Sequence, residues 1–248
     1  MRSYPLPQNL GCNDIFDGIS DQDNMFIGDI EHYYRVGLSA KSIINKAIAL
    51  SQKDASEFKN ILDLPSGYGR VTRFLKPMFP FAELTVSDLD REAVDFCRKN
   101  FLCNGVYSDA DFSKVQFDNK FDLIWVGSLI THFSEDMTIN FFKFAAKYLR
   151  SGGLLIVSSH GPFVAGLING RLPNESYGLP SENLQTMLKD FFKNDYGYSD
   201  YPGQPNYGIS IIREEWFKKS ISLYTDLRVY CHFSCAWDNH HDIVVLTC

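Results

Sequence analysis

The segment Asn60-Ile-Leu-Asp-Leu-Pro-Ser-Gly-Tyr-Gly-Arg70 decides the fold of this 248-residue chain. Its apolar first part, which carries Asp63, predicts a strand, Gly67 and Gly69 predict a tight turn, and the residues that follow predict a helix. A strand that passes through a glycine turn into a helix brings backbone N–H groups to the carboxyl end of a sheet, where open α/β sheets bind nucleotide-like ligands. A carboxylate just before the glycines suits a cationic or amine-bearing ligand better than a pyrophosphate.

Composition narrows the class of protein. The length suits one α/β domain with an elaboration, or two small domains. A net charge of −6 disfavours a nucleic-acid partner, which normally requires a basic face. The six cysteines form no Cys-x-x-Cys pair and are expected to be reduced thiols. With no apolar signal segment and no stretch of membrane-spanning length, the chain is expected to be cytoplasmic, without a membrane partner.

Strand and helix patterns alternate across residues 60–160. Such alternation predicts a parallel, doubly wound sheet with right-handed crossovers. Asp90 and Ser134 are expected to cap two of the helices, and Ser151-Gly152-Gly153 is expected to end the second of them. The predicted strands are 61–64, 84–87, a short one near 106–107, 121–126 and 154–158, and the first predicted helix is 71–76, ended by Pro77.

The flanking regions differ in character from this repeat. Residues 1–59 predict an irregular arm, up to about residue 24, followed by one or two helices. Residues 60–248 are expected to form the main domain, with an insertion at about 161–208 rich in proline, glycine and aromatic residues. We expect this insertion to be a folded cover over the carboxyl edge of the sheet, with a helix over 182–193 capped by Ser181. The last predicted elements are a helix at 214–220 and an antiparallel hairpin of strands 227–233 and 243–246.

In motif order, the segment at 60–70, Asp88, Asp109 and Val126–His132 resemble the class I S-adenosylmethionine-dependent methyltransferases. The resemblance implies a Rossmann-like methyltransferase fold, an α/β doubly wound, mostly parallel seven-stranded sheet that ends in an antiparallel hairpin. It also implies S-adenosylmethionine as the cofactor and S-adenosylhomocysteine as the product.

The resemblance further implies a set of cofactor-binding positions. Asp63 would hold the methionine end, Asp88 would accept from the ribose hydroxyls, and Asp109 would accept from the adenine amino group. The family usually has glycine where this chain has Pro65, so one backbone donor is missing from the turn. The full set is Asp63, Pro65, Ser66, Gly67, Gly69, Asp88, Leu89, Asp109, Gly127 and Ser128.

Two histidines are candidate catalytic residues. His132 follows a strand end and is placed to act as a general base, with a backbone-bonded loop histidine as the alternative. His160 follows the next strand and is expected to face the cleft. The adjacent pair His240 and His241 is not expected to bind a metal, because side chains alternate in an extended strand. We therefore predict no metal, with a site formed by His132, His160 and a carboxylate as an alternative.

Four further side chains near the motif have a simpler interpretation. Arg70 and Arg73, on the first helix of the sheet region, are expected to be solvated. Tyr33 and Tyr34 are expected either to pack a helix or to close over the cofactor.

The predicted activity is methyl transfer to an oxygen or nitrogen of a small or medium-sized molecule. An NAD(P)-dependent oxidoreductase would share the glycine turn and Asp88. It would normally have a third glycine near position 72, where this chain has Thr72, and no acid at position 63. A non-catalytic adenosylmethionine-binding module on the same fold is the other alternative.

Overall fold

The protein is described here by a computed structural model, which covers residues 1–3, 15–170 and 176–248. Residues 4–14 of the expected irregular arm and 171–175 of the expected insertion lie outside the described residues. The chain divides into two units, Met1–Trp125 and Val126–Cys248. Within the described ranges, no helix is both long enough and apolar enough to cross a membrane.

The first unit contains an N-terminal strand pair, a long helix and the first strand–helix repeats. Its elements are β1 (Arg2–Ser3), β2 (Gly18–Ile19), α1 (Ile30–Leu50), β3 (Asn60–Asp63), α2 (Thr72–Met78), β4 (Glu83–Asp88), α3 (Arg91–Phe101), β5 (Asn104–Tyr107) and, up to Trp125, β6 (Phe121–Val126).

The second unit contains the remaining strand–helix repeat, the insertion and the terminal hairpin. Its elements are α4 (Glu135–Tyr148), β7 (Leu149–His160), α5 (Pro162–Gly170), α6 (Ser181–Asn194), β8 (Tyr196–Tyr201), β9 (Gln204–Ile212), α7 (Glu214–Tyr224), β10 (Arg228–Trp237) and β11 (His241–Thr247).

A seven-stranded sheet has the strand order β10-β11-β7-β6-β3-β4-β5. Strand β3 pairs in parallel with β4 and β6, and β4 pairs in parallel with β5. At the other end, β11 runs antiparallel to both β7 and β10. The structure therefore confirms the doubly wound, mostly parallel sheet with an antiparallel terminal hairpin.

In the first unit, close packing of α1 on α2 fixes the position of the segment that follows β3. Tyr33 and Tyr34 of α1 are buried and pack with Phe74 of α2. A Cβ atom at Gly37 would overlap the Phe74 ring and approach the Arg70 carbonyl oxygen to 2.5 Å. Glycine at position 37 therefore permits this approach of the two helices.

In the second unit, the insertion has a hydrophobic core of its own. Helices α5 and α6 pack with the antiparallel pair β8–β9, which the sequence did not predict. The buried residues of this core are Val164, Ala165, Ile168, Leu179, Leu184, Met187, Leu188, Phe191, Ile209 and Ile211. The described residues of the insertion are thus folded, whereas a cover over the carboxyl edge of the sheet stays a prediction.

Three local predictions were wrong at element ends. Helix α2 continues through Pro77 to Met78, because a proline in the last turn costs few helical hydrogen bonds. Helix α4 ends at Tyr148 and β7 begins at Leu149, so Ser151-Gly152-Gly153 lies in the strand and does not end the helix; the Gly152 N–H donates to the Cys248 carbonyl at 2.9 Å. Ser181 is the first residue of α6, not its cap. The predicted caps Asp90 and Ser134 are confirmed, since each accepts hydrogen bonds from first-turn N–H groups.

The Gly37 contact predicts opposite effects for two helical glycine substitutions. Gly37→Ala should lower the free energy of unfolding by about 1–3 kcal/mol, because the new methyl group overpacks α1 against α2. Gly166→Ala in α5 is the matched control, since a Cβ there meets nothing within 4 Å. Alanine's better helix propensity should stabilise that variant by up to about 1 kcal/mol. Equal effects in urea unfolding would contradict the packing argument.

Candidate cofactor-binding and catalytic sites

Asp63, the last residue of β3, is a buried carboxylate in the first unit, with an exposed fraction of 1%. Its Oδ2 accepts a hydrogen bond from the Thr72 hydroxyl at 2.6 Å. Among the described residues, Oδ1 has no hydrogen-bond partner. Burial raises the pKa of Asp63 to about 7, with Asp88 adding to the increase and the Thr72 bond opposing it. The first unit thus holds a buried acid with one oxygen available to a cationic or hydrogen-donating ligand.

The two glycines of the turn serve different purposes. Gly67 has φ +48° and open space where a Cβ would lie, as close approach of a ligand to the backbone requires. Gly69 has φ +80°, and a Cβ there would overlap Phe101 of α3. Gly67 therefore fits the predicted cofactor contact, whereas Gly69 is required for packing on α3.

Pro65 stands where the family usually has glycine, and the backbone N–H groups of its two neighbours still form hydrogen bonds. The Leu64–Pro65 peptide bond is cis. The N–H groups on either side of Pro65 are satisfied, since that of Leu64 donates to the Trp125 carbonyl and that of Ser66 to the Ser87 carbonyl, each at 3.0 Å. The Ser66 hydroxyl donates to the Gly67 carbonyl at 3.3 Å.

Asp88, at the end of β4, ties this strand to the glycine turn. Its Oδ2 accepts from the Gly67 N–H at 2.7 Å, and its Oδ1 accepts from the Asp90 N–H at 2.9 Å. Burial raises the pKa of Asp88. Each carboxylate oxygen has two acceptor sites, so both can still accept from a ligand hydroxyl. The next side chain, Leu89, is 62% exposed and offers an apolar surface beside this acid.

Asp109 has a clear structural role in the loop after β5. Its Oδ1 accepts from the Asp111 N–H at 2.8 Å and lies 3.7 Å from the Lys114 ammonium. These contacts fit the solvated loop acid that the sequence also allowed. An adenine contact for Asp109 stays a prediction.

Arg73 is the residue of this unit whose role the sequence did not reveal. The prediction that it is solvated was wrong, because Arg73 is 1% exposed. Its Nε donates to the Gly69 carbonyl at 3.0 Å, and its other nitrogens donate to the Phe16 carbonyl and the Tyr33 hydroxyl. The spacing of four residues between Gly69 and Arg73 was the signal. Arg73 therefore holds the glycine turn, and Tyr33 serves helix packing.

In the second unit, the segment after β6 has an unusual backbone at Ser128. This residue has φ +54°, a left-handed conformation that is uncommon for residues other than glycine. Its N–H donates to the Ser158 hydroxyl at 2.7 Å, and its own hydroxyl lies 3.3 Å from that of Thr131. Strained conformations of this kind concentrate at functional sites, which agrees with the predicted role of Gly127 and Ser128.

His132 is held by the insertion as a neutral base. Its Nδ1 lies 2.8 Å from the Gly208 carbonyl of β9. Because a carbonyl oxygen only accepts, Nδ1 carries the hydrogen and Nε2 has a free lone pair. The ring stacks on Tyr207 with 4.9 Å between ring centroids. Burial lowers the pKa of His132, so the imidazole is neutral at pH 7.

His160 is held by the same strand but has a different environment. Its Nδ1 lies 3.2 Å from the Ser210 carbonyl, two residues along β9 from the partner of His132. Burial lowers the pKa of His160 to about 3, with the neighbouring His240 adding to the effect. His160, His240 and His241 have potential ligand nitrogens that all lie within 4.8 Å of one another. His240 lies in the turn before β11, so strand alternation does not separate it from His241.

Comparisons with known proteins agree with this fold and with the motif at its centre. Residues 61–153 match a family model described as a methyltransferase domain. N-terminal Xaa-Pro-Lys N-methyltransferase 1 of Danio rerio is 25% identical over 173 residues, which cover 58% of this chain and 74% of that protein.

Solved structures share the fold at low sequence identity. An S-adenosylmethionine-dependent methyltransferase from Clostridium acetobutylicum has a TM-score of 0.58 at 17% identity, covering 90% of this chain and 93% of its own. The glycopeptide N-methyltransferase MtfA has a TM-score of 0.55 at 13% identity, covering 86% of this chain and 90% of its own. The O-methyltransferase NcsB1 has a TM-score of 0.52 at 13% identity, covering 85% of this chain and 55% of its own. A methyltransferase domain model therefore matches residues 61–153, and these solved structures share the fold of the chain.

The raised pKa of Asp63 predicts a pH-dependent stability of the protein without cofactor. Between the ordinary pKa of 3.8 and about 7, folding takes up a proton at this site, so its contribution to stability falls as pH rises through this range and is constant above it. Asp63→Asn removes the free-energy cost of burying the ionised carboxylate. At pH 8 we expect this variant to gain about 1 kcal/mol or more, roughly 2–4 °C in Tm, and near pH 4 no gain.

Urea unfolding at pH 4 and pH 8 measures this difference. Asp118→Asn, at an exposed loop carboxylate, is the control and should match wild type at both pH values. A gain for Asp63→Asn of the same size at both pH values would show that burial of charge is not its cause.

Proposed function

We propose that this protein transfers the methyl group of S-adenosylmethionine to an oxygen or nitrogen of a small or medium-sized molecule. The carrying observation is the buried Asp63 carboxylate, whose Oδ1 has no hydrogen-bond partner among the described residues, at a strand end before an open glycine turn. Solved structures that share this fold contain S-adenosylhomocysteine or S-adenosylmethionine, which supports this cofactor.

The residues of the first unit fit this cofactor. S-adenosylmethionine supplies, when bound, a methyl group on a sulfonium and also carries an ammonium. Asp63 offers a carboxylate in a poorly solvated position, where attraction to a cation is strong. The open side of Gly67 lets the cofactor approach the backbone. Asp88 would accept from the ribose hydroxyls, with Leu89 beside the base and with Ser66 and Asp109 as polar contacts.

Charge also couples cofactor binding to protonation at Asp63. Because a cation favours the ionised carboxylate, binding should lower the pKa of Asp63 from its value of about 7 and release a proton. The affinity for S-adenosylmethionine should therefore increase as pH rises through 7.

His132 is the proposed general base. Its Nε2 lone pair is available because the Gly208 carbonyl fixes the hydrogen on Nδ1. A neutral imidazole can take the proton of a hydroxyl acceptor as the methyl group is transferred, or the proton of an ammonium before its nitrogen attacks the methyl group. The predicted catalytic role of His160 is less well supported, because its pKa of about 3 leaves it a poor proton acceptor at neutral pH.

The surroundings of His132 and His160 support a planar or sugar-like acceptor. Tyr201 and Tyr207 lie 6.1 and 4.9 Å from His132 between ring centroids, and Tyr177 lies 5.6 Å from His160. Aromatic side chains of this kind bind flat or amphipathic molecules well. Related proteins include the N-methyltransferases described above and an O-methyltransferase whose structure contains 1,4-dihydroxy-2-naphthoic acid.

Thr72 argues against the oxidoreductase alternative. The position where a dinucleotide fold would have its third glycine holds a buried threonine whose hydroxyl binds Asp63. A cytoplasmic location and the lack of a nucleic-acid partner stay predictions from composition.

Cofactor binding can be tested without knowledge of the acceptor. S-adenosylmethionine and S-adenosylhomocysteine should raise the Tm in a thermal-shift assay, whereas NAD should not, because binding to the folded state alone stabilises it. Asp63→Asn should abolish the S-adenosylmethionine shift, and the control Asp118→Asn should retain it. A response to NAD alone would support the oxidoreductase, and an unchanged shift in Asp63→Asn would remove the site assignment.

To test catalysis, small hydroxyl and amino compounds are screened as methyl acceptors, with formation of S-adenosylhomocysteine as the measured product. With an acceptor in hand, His132→Gln should lower kcat about 100-fold, as expected for loss of a general base, with cofactor affinity little changed. His32→Gln, in helix α1, is the control. Wild-type kcat in His132→Gln would exclude the base assignment. Cofactor binding without turnover of any compound would favour the binding-module alternative.

A further inference from the structure

The geometry points to a metal site formed by His160, His240 and His241, which would take a divalent transition ion of the zinc class. This proposal does not rest on methyl transfer, since it concerns side chains of the second unit alone. It revises the expectation that the protein binds no metal.

Backbone pairing explains why the three imidazoles meet. His160 ends β7, and its direct partner in the antiparallel pairing is His241, the first residue of β11. Directly opposed residues project their side chains from the same face of a sheet. Asp238 and Asn239 have φ values of +49° and +58°, so the tight turn before β11 reverses the chain and brings His240 beside the pair. The ring centroids of His240 and His241 are 4.2 Å apart.

Two of the three rings are oriented in the way that metal-ligating histidines are. The Nδ1 atom of His160 faces the Ser210 carbonyl at 3.2 Å, and that of His240 faces the Asp238 carbonyl at 2.8 Å. Each Nδ1 therefore carries the hydrogen, and each Nε2 presents a lone pair. Donation of the second ring N–H to a backbone carbonyl fixes the tautomer and orientation of a histidine ligand.

The distances require only a small adjustment. Zinc binds imidazole nitrogen at about 2.0–2.1 Å, so two ligands of a tetrahedral ion lie about 3.3 Å apart. One potential ligand nitrogen of each histidine lies within 4.8 Å of the others, so an ion would draw them together by up to about 1.5 Å. His160 and His241 are buried, and His240 is partly exposed, which gives an ion a route from solvent.

The donor set selects the class of ion. Imidazole suits zinc, copper, nickel and iron, whereas magnesium and calcium prefer oxygen ligands. The nearest acid in sequence, Asp242, is engaged elsewhere, since its Oδ1 accepts from the Cys235 N–H and its Oδ2 lies 3.1 Å from His232 Nε2. Three histidines leave a fourth tetrahedral position for water or an acceptor group, as in catalytic zinc sites.

Metal binding tests the proposal on the full chain without a polyhistidine tag. We expect one zinc ion per chain by elemental analysis after dialysis, and visible d–d absorption of four- or five-coordinate Co²⁺ when cobalt is added. Zinc should displace the cobalt. His240→Gln should weaken the zinc Kd about tenfold or more, since loss of a ligand costs at least as much as loss of its supporting partner.

Two controls keep the result specific. His32→Gln removes a histidine outside the cluster and should bind zinc and cobalt as wild type does. Circular dichroism should show His240→Gln to be folded, because residue 240 lies in a partly exposed turn. Lack of the Co²⁺ absorption in wild type, or an unchanged zinc Kd in a folded His240→Gln, would overturn the site. Because these measurements need no methyl donor, failure of the proposed methyl transfer would leave them unaffected.

Discussion

The cofactor region depends on one electrostatic constraint, the burial of the Asp63 carboxylate at the end of β3. Thr72 satisfies one of its oxygens, while Oδ1 has no hydrogen-bond partner among the described residues. An acid in such a position costs folding free energy when it is ionised. A bound cation would offset this cost, so the group that weakens the free protein is also the one that supports the proposed binding of S-adenosylmethionine.

In the second unit, the inserted hairpin acts as an orienting device. Two carbonyls of β9 contact histidines of the second unit: that of Gly208 accepts from His132, which follows β6, and that of Ser210 accepts from His160, which ends β7. One short strand thereby fixes the tautomers of His132 and His160 together. The inserted strand therefore affects proton chemistry, because replacing it would change which nitrogen of each ring is basic.

Features set by local chain chemistry could be predicted from the sequence, and features set by distant partners could not. The caps at Asp90 and Ser134 and the strand–turn–helix at Asp63 depend on neighbouring residues. The fold and the position of Asp63 at a strand end could therefore be predicted. Arg73 was missed because two of its acceptors lie 57 and 40 residues away along the chain. The close approach of His240 to His241 was not predicted, because it depends on two left-handed residues, Asp238 and Asn239, that a hydrophobic pattern does not reveal.

The buried guanidinium of Arg73 has a consequence for the N-terminal extension. It joins the Gly69 carbonyl to the Phe16 carbonyl and to Tyr33, whose hydroxyl donates to Asp23 at 2.6 Å. Trimming the chain to its sheet region would remove the Phe16 and Tyr33 acceptors of this buried cation and leave it only the Gly69 carbonyl. The N-terminal residues are therefore a structural part of the glycine turn, and a shortened version of this protein designed for engineering should begin before Phe16.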